Sequence, residues 1–249
     1  MNKQPVIFKD LGTMDYQKAW DYQESLLKEN VRIKSLGYNQ DSSLASRLTI
    51  DDSRFSTHDT QHYLLFVEHP PVYTLGKSGD INNVLINEEA RTAKGIEFFH
   101  TNRGGDITFH GPGQIVGYPI LDLEKFYTDI GKYLRNIEEV MILTLEEYGI
   151  SAGRSTGETG VWIDADKKGR ERKICAIGVR SSRWVTMHGF ALNVNTDLDY
   201  FNFIIPCGIA NKQVTSIEKE LGRKVDFIEA KERVRNNFAK VFGAEWVTV

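Results

Sequence analysis

The residues best suited to do chemistry are a cysteine and a lysine. Cys207 stands in the stretch Ile204-Ile205-Pro206-Cys207-Gly208-Ile209. Pro206 locks its own φ and drives Ile205 into an extended conformation, while Gly208 lets the backbone bend sharply. A thiol at such a bend can be offered to a second molecule together with neighbouring N–H groups. Equally, a cysteine beside a turn can simply be packed, as free cysteines often are. Lys173 opens the otherwise apolar run Ile174-Cys175-Ala176-Ile177-Gly178-Val179. A lysine at a strand edge is usually a solvated charge. If its side chain meets the thiol, it favours the thiolate, the species that attacks: an isolated cysteine has a pKa of about 8.5, and nearby cations bring it to roughly 3.5–7.5.

A third segment, Arg103-Gly104-Gly105-Asp106-Ile107-Thr108-Phe109-His110-Gly111-Pro112-Gly113-Gln114, carries four glycines and a proline in twelve residues. A strand core does not tolerate that many without reason. Glycines let a ligand lie against the backbone, and Arg103, Thr108, His110 and Gln114 can present polar groups to it. The bland alternative is a glycine-rich loop joining two strands. The segment does not fit the phosphate-binding pattern G-x-x-x-x-G-K-[ST]. The six histidines are scattered, and Cys175 and Cys207 form no C-x-x-C pattern, so neither a metal site nor a redox pair is expected. No G-x-S-x-G motif suggests a serine hydrolase.

The setting is ordinary for a globular protein. Of 249 residues, 41% are hydrophobic and 26% charged, with a formal net charge of −3 that argues against a nucleic-acid partner. Locally the balance reverses. Between Asp164 and Arg183 seven basic residues (Lys167, Lys168, Arg170, Arg172, Lys173, Arg180 and Arg183) face three acidic ones, which is either a solvated hairpin or a landing surface for an acidic partner. The polar start Met1–Pro5 lacks the apolar core of a signal peptide, and no apolar run approaches the roughly 20 residues of a membrane span. A reducing cytoplasm, where a thiol stays reactive, is the expected compartment.

These groups need a scaffold. Tyr16, Ala19, Trp20 and Leu27 share one helical face, capped by Thr13 or Asp15. The polar stretch 34–62 reads as a long insertion with a helical turn near Leu44–Leu48. Strands are expected at Tyr63–Val67, Val72–Leu75, Glu97–His100, Ile115–Leu121, Val161–Ile163, Lys173–Val179 and Trp184–Val194, with turns at Asp166–Gly169 and Arg180–Arg183. Asn87 caps a short helix that ends near Gly95. Ile130 to Tyr148 forms a long amphipathic helix stopped by Gly149, and Phe227 to Val241 a last one. The pattern predicts one α+β domain over 1–249, a mixed, largely antiparallel sheet with flanking helices.

Taken together, several stretches resemble a known family. They are Glu68-His69-Pro70-Pro71-Val72-Tyr73-Thr74-Leu75-Gly76, the Arg103–Gln114 segment, Lys173–Val179, His188-Gly189-Phe190-Ala191-Leu192-Asn193-Val194-Asn195, Pro206-Cys207-Gly208 and Val214-Thr215-Ser216. In kind and order they are similar to the octanoyltransferases of lipoate biosynthesis. The resemblance implies a fold shared with biotin and lipoate protein ligases. It also implies transfer of an octanoyl group from acyl carrier protein to a lysine of lipoyl domains, such as those of 2-oxo acid dehydrogenase complexes and the glycine cleavage H protein, without a cofactor. It places Cys207 as the acyl-accepting cysteine and Lys173 as its partner. Substrate contacts then fall to Arg103, Gly104, Gly105, Asp106, Ile107, Thr108, Phe109, His110, Ala176, Ile177, Gly178, Gly189, Phe190 and Ala191. The small residues Ala176, Gly178, Gly189 and Ala191 are expected to leave space for the acyl chain. Two features depart from the family: the long 34–62 insertion, and Cys175 where alanine is common.

Overall fold

The computed structural model describes residues 3–39, 59–205 and 213–247. Cys207, the Leu44–Leu48 turn and most of the expected insertion lie outside the described residues. Strands β1 (Gln4–Thr13), β2 (Tyr63–Glu68), β3 (Val72–Leu75), β4 (Glu97–His100), β5 (Ile107–His110) and β6 (Gln114–Ile120) precede β7 (Gly153–Ser155), β8 (Glu158–Ile163), β9 (Arg172–Ser182), β10 (Val185–Asn193), β11 (Gln213–Val214) and β12 (Ala244–Val247). The helices are α1 (Tyr16–Asn39), α2 (Glu88–Ala93), α3 (Ile130–Glu146), α4 (Ile217–Leu221) and α5 (Phe227–Phe242).

The main sheet runs β12-β1-β2-β6-β10-β9-β8-β7, with β11 alongside β9. Only the β1–β12, β1–β2 and β9–β11 pairs are parallel; the rest of this sheet is antiparallel. A second sheet, β4-β3-β5, stands apart from it. The architecture is the expected α+β one.

Period-two alternation sends the central strands' side chains to opposite faces. Ile115, Phe190 and Leu192 pack with Tyr133, Ile137 and Met141 of α3 and Val234 and Phe238 of α5. Val116, Tyr118, Met187 and Ala191 face the other way, toward Ala19 and Leu27 of α1. The small sheet buries Tyr73, Ile107 and Phe109 with Ile204. Helix ends follow local chemistry: Asp129 accepts the Lys132 N–H, Asn87 the Ala90 N–H, and Gly243 closes α5 at φ 63°.

Four expectations need correction. Helix α1 continues to Asn39, so Lys34 belongs to a helix rather than an insertion. It does so because the Lys34 ammonium reaches the buried Asp122 carboxylate at 2.6 Å, a tertiary contact no local pattern reveals. The glycine-rich segment is not all loop: its middle forms β5, paired antiparallel with β3. The expected turn at Arg180–Arg183 contracts to Arg183 and Trp184, both at positive φ, between the paired Ser182 and Val185. That is the two-residue hairpin geometry favoured by strand twist. Finally, β1 and β12 were not anticipated: β12 is a four-residue edge strand paired with β1, and β1 is a longer, polar-interrupted strand held between β12 and β2.

Candidate active site

A cavity of about 390 Å³ opens between the α1 face of the main sheet and the small sheet. Its floor is set by strand register. Val116 of β6 pairs with Ala191 of β10, and Ala191 with Ala176 of β9; one row further, Gly189 pairs with Gly178. Of the expected substrate contacts, Arg103, Gly105, Asp106, Ile107, Thr108, His110, Ala176, Ile177, Gly178, Gly189, Phe190 and Ala191 line the cavity, as does Lys173. Gly104 and Phe109 do not. Phe109 is 1% exposed and stacks on Tyr200 beneath the small sheet. Gly104 bonds backbone to backbone with Val179, its N–H donating to that carbonyl at 2.9 Å.

The two floor glycines have a different purpose from the one expected. A Cβ on Gly178 would lie 2.7 Å from the Gly104 carbonyl oxygen, and one on Gly189 2.2 Å from that of Gly117. They admit the protein's own backbone. Open floor is left to Val116, Ala176 and Ala191. Gly76 is of the same kind: its Cβ would meet the Gly105 carbonyl at 2.2 Å.

Arg103 organises the glycine-rich loop. Its guanidinium donates to the carbonyls of Thr74 (2.6 Å), Gly104 (3.0 Å) and Asp106 (2.8 Å), and to the Thr74 hydroxyl (2.9 Å). From there a buried polar line crosses the site. His110 Nδ1 donates to Gln114 Oε1 at 2.8 Å, and Gln114 Nε2 to Asn193 Oδ1 at 2.8 Å. Asn193 Nδ2 donates in turn to the Thr215 carbonyl at 2.9 Å. This tautomer leaves His110 Nε2 as acceptor, 3.3 Å from the Thr74 hydroxyl. Burial pushes His110 well below the usual histidine range, and the Arg103 cation acts in the same direction, so the ring is a neutral positioning group.

Other walls were not foreseen. Tyr16 of α1 lies parallel to the His110 ring with centroids 6.0 Å apart, and Tyr118 hydrogen-bonds His69 at 2.7 Å. Burial raises the Tyr16 phenol to about 12. His188 sits at φ 56° within β10, its Nε2 2.7 Å from Asn102 Oδ1, and burial lowers it to about 3. Gln114 was expected to present a polar group; the signal for its partner Asn193 was a polar residue inside a fully buried strand. Tyr16 offered none beyond its place on an apolar helix face.

Lys173 lies near the start of β9, five residues and about 16 Å along the strand from Gly178 at its middle. Its Nζ lies 4.6 Å from the Trp162 ring centroid. Glu158, Thr159 and Val214 line the same end. Cys175 is fully buried in the core, and desolvation pushes its thiol far up, so it is a packing residue held as thiol. The basic hairpin is less exposed in charge than its composition suggested. Asp164 pairs with Lys167 and Arg172 and approaches Arg170 at 3.9 Å; the hydrogen bonds from Lys167 and Arg172 hold its carboxyl at about 2.

Comparison with known proteins agrees with this geometry. The family described as the lipoyl protein ligase A/B catalytic domain matches residues 43–239. The octanoyltransferase of Flavobacterium johnsoniae is 56% identical over 248 residues, 99% of this chain and 100% of the relative. That of Christiangramia forsetii is 56% identical over 247 residues, 98% of each. Among solved structures, the bi-partite lipoate protein ligase of Thermoplasma acidophilum superposes with a TM-score of 0.63 at 17% identity, covering 100% of this chain and 88% of that one. A lipoate-protein ligase A bound with ATP gives 0.62 at 15%, covering 100% and 90%. These two establish the fold. The chain belongs to the lipoyl protein ligase A/B catalytic domain family and, within it, to the octanoyltransferases, acyltransferases that act in lipoylation.

Proposed function

We propose that this chain, acting as one catalytic domain over 1–249, moves an octanoyl group from acyl carrier protein to a lysine of lipoyl domains through a thioester on Cys207. The observation that supports the reading is where the chain leaves and rejoins the cavity. Phe201 and Val214 both line it. Ile205, two residues before Cys207, donates its N–H to the Asn83 carbonyl at 2.8 Å, and Val214 pairs with Lys173 itself. Described residues before and after the Cys207 segment therefore reach the cavity, and those after it pair with the lysine.

In the first half-reaction the Cys207 thiolate attacks the donor's thioester carbonyl carbon. A new carbon–sulfur bond forms, the bond to the carrier's sulfur breaks, and the carrier leaves as a thiol on taking the proton of the Lys173 ammonium, which is thereby left neutral for the second half. Lys173, as a cation, stabilises the attacking thiolate. In the second half the acceptor lysine's amine attacks the acyl-enzyme, an amide forms and Cys207 departs as thiolate. The amine's proton goes to Lys173 in its neutral form. Backbone N–H groups near Gly208 and of the glycine-rich loop are the proposed donors to the developing oxyanion. The acyl chain lies over Val116, Ala176 and Ala191, where six buried methylenes contribute about 5 kcal/mol. The proposed compartment is the cytoplasm, where the thiol stays reduced.

Intact-protein mass after incubation with octanoyl-acyl carrier protein tests the reading. One octanoyl increment mapping to Cys207 is expected; an adduct on Cys175 with none on Cys207 refutes it. The competing chemistry is ATP-dependent acyl-adenylate formation, which one relative of the same fold, solved with ATP, brings into view. Activity of Cys207→Ala supplied with ATP would select that alternative.

A further inference from the structure

Taking Lys173 as the cation that serves Cys207, the structure bears on what holds that cation. Trp162 of β8 lies directly across from Lys173 in the β8–β9 ladder. Directly opposed residues share a face, so the lysine stem crosses the indole and its ammonium ends 4.6 Å from the ring centroid. Immediately beyond this pair the register slips: Val161 opposes Cys175, leaving Ile174 as the extra residue of a bulge. The slip brings Gly160, at φ 125°, beside the lysine. A Cβ there would come 2.7 Å from the Cys175 carbonyl oxygen and 3.5 Å from Lys173 Cε. Gly160 is itself braced, since its N–H donates to Glu138 Oε1 at 3.1 Å. The Glu138 side chain is 0% exposed and also holds Arg135 and Arg154. The lysine stem thus lies between an indole face and the backbone of Gly160, a glycine required by the close approach of the Cys175 carbonyl.

We propose that Trp162 is a positioning residue for acyl transfer, its indole face holding the Lys173 ammonium at the Val214 end of the cavity. A ring quadrupole attracts a cation while carrying no formal charge of its own, so the indole orients the ammonium without neutralising it. Among the described residues, the charged groups around this end are Glu158 of β8, Glu138 of α3 behind Gly160, Arg172 of β9 and Glu220 of α4. Glu220 pairs with Arg172 and accepts the Thr215 hydroxyl. None of them changes in the variants below.

The test follows iodoacetamide labelling of Cys207 against pH, with kcat and KM for octanoyl transfer, in Trp162→Phe, Trp162→Leu and protein carrying fluorinated tryptophans at 162. Fluorination keeps the ring's shape and weakens its π-face, so it covers the case in which Trp162→Leu does not fold. The labelling midpoint should rise by about half a pH unit in Trp162→Leu and less in Trp162→Phe, and step up with each added fluorine. In Trp162→Leu kcat should fall about threefold, with KM little changed. A midpoint that stays constant across the fluorinated series overturns the inference. Lys173→Ala in the same assay separates the layers. If it leaves the profile unchanged, the pairing of Lys173 with Cys207 fails and takes this inference with it. If it shifts the profile while the fluorinated series does not, the role of Trp162 alone is refuted.

Discussion

Replacing Gly178 by alanine puts a methyl group 2.7 Å from the Gly104 carbonyl oxygen and 3.1 Å from Arg103 Cδ, where ordinary contact begins at 3.4 Å. The obstacle is backbone, so no rotamer change relieves it. Either β9 or the loop must give by roughly 0.7 Å, in an interior packed too tightly to absorb it locally. Overpacking of this kind costs about 1–3 kcal/mol. The loop is also where Arg103 makes its bonds to Thr74, Gly104 and Asp106, so the displacement reaches the cavity wall. We expect Gly178→Ala to lose about 2 kcal/mol in urea denaturation and, at a temperature where it remains folded, to lose about tenfold or more in kcat/KM for octanoyl transfer. Gly153→Ala is the control: no atom lies within 4 Å of its Cβ position, so that variant should match or slightly exceed the parent in stability. A Gly178→Ala protein as stable and as active as the parent would refute the reasoning, because the loop would then not be seated against β9.

Lys34→Met should cost about 3 kcal/mol or more in urea denaturation, since it strands an Asp122 side chain that is 2% exposed. Arg32→Met, which breaks an exposed pair with Glu29 on the same helix, should change stability by less than about 0.5 kcal/mol. Burial lowers His62 and His69 to about 4 and His188 to about 3. Below the unfolded value of about 6.5 the unfolded chain binds protons that the folded chain does not. Stability is therefore fully present above about pH 6.5 and falls as pH drops toward 4, by about 1.4 kcal/mol per pH unit for each histidine. Urea midpoints between pH 7 and 4.5 check this, and His69→Gln should flatten the slope; an unchanged slope would mean that His69 is protonated in the folded state.

Much of the scaffold was legible locally. The 3.6-residue periodicity of Ile130–Tyr148 and of Phe227–Val241 marked α3 and α5, and Asn87 marked the start of α2, because helix faces and caps are written within a few residues. The order of the motifs likewise carried the family, and the reasons for proposing a nucleophile at Cys207 and a cation at Lys173 lie in residue type. Other features depended on contacts between distant segments. Lys34 extends α1 only because Asp122, 88 residues on, is buried beneath it. Strand β5 exists because β3 pairs with it, and β1 because β2 and β12 flank it. A glycine's purpose is set by what approaches it, so composition alone could not distinguish Gly178 and Gly189, which admit backbone, from Ala176 and Ala191, which leave open floor. Trp162 under Lys173, and Gln114 joined to Asn193, are cross-strand relations fixed by register. The sequence by itself determined which residues are able to react and the elements that carry them. Only the tertiary structure decided which of the described side chains line one cavity, because that depends on pairing register and burial, to which each segment contributes only half.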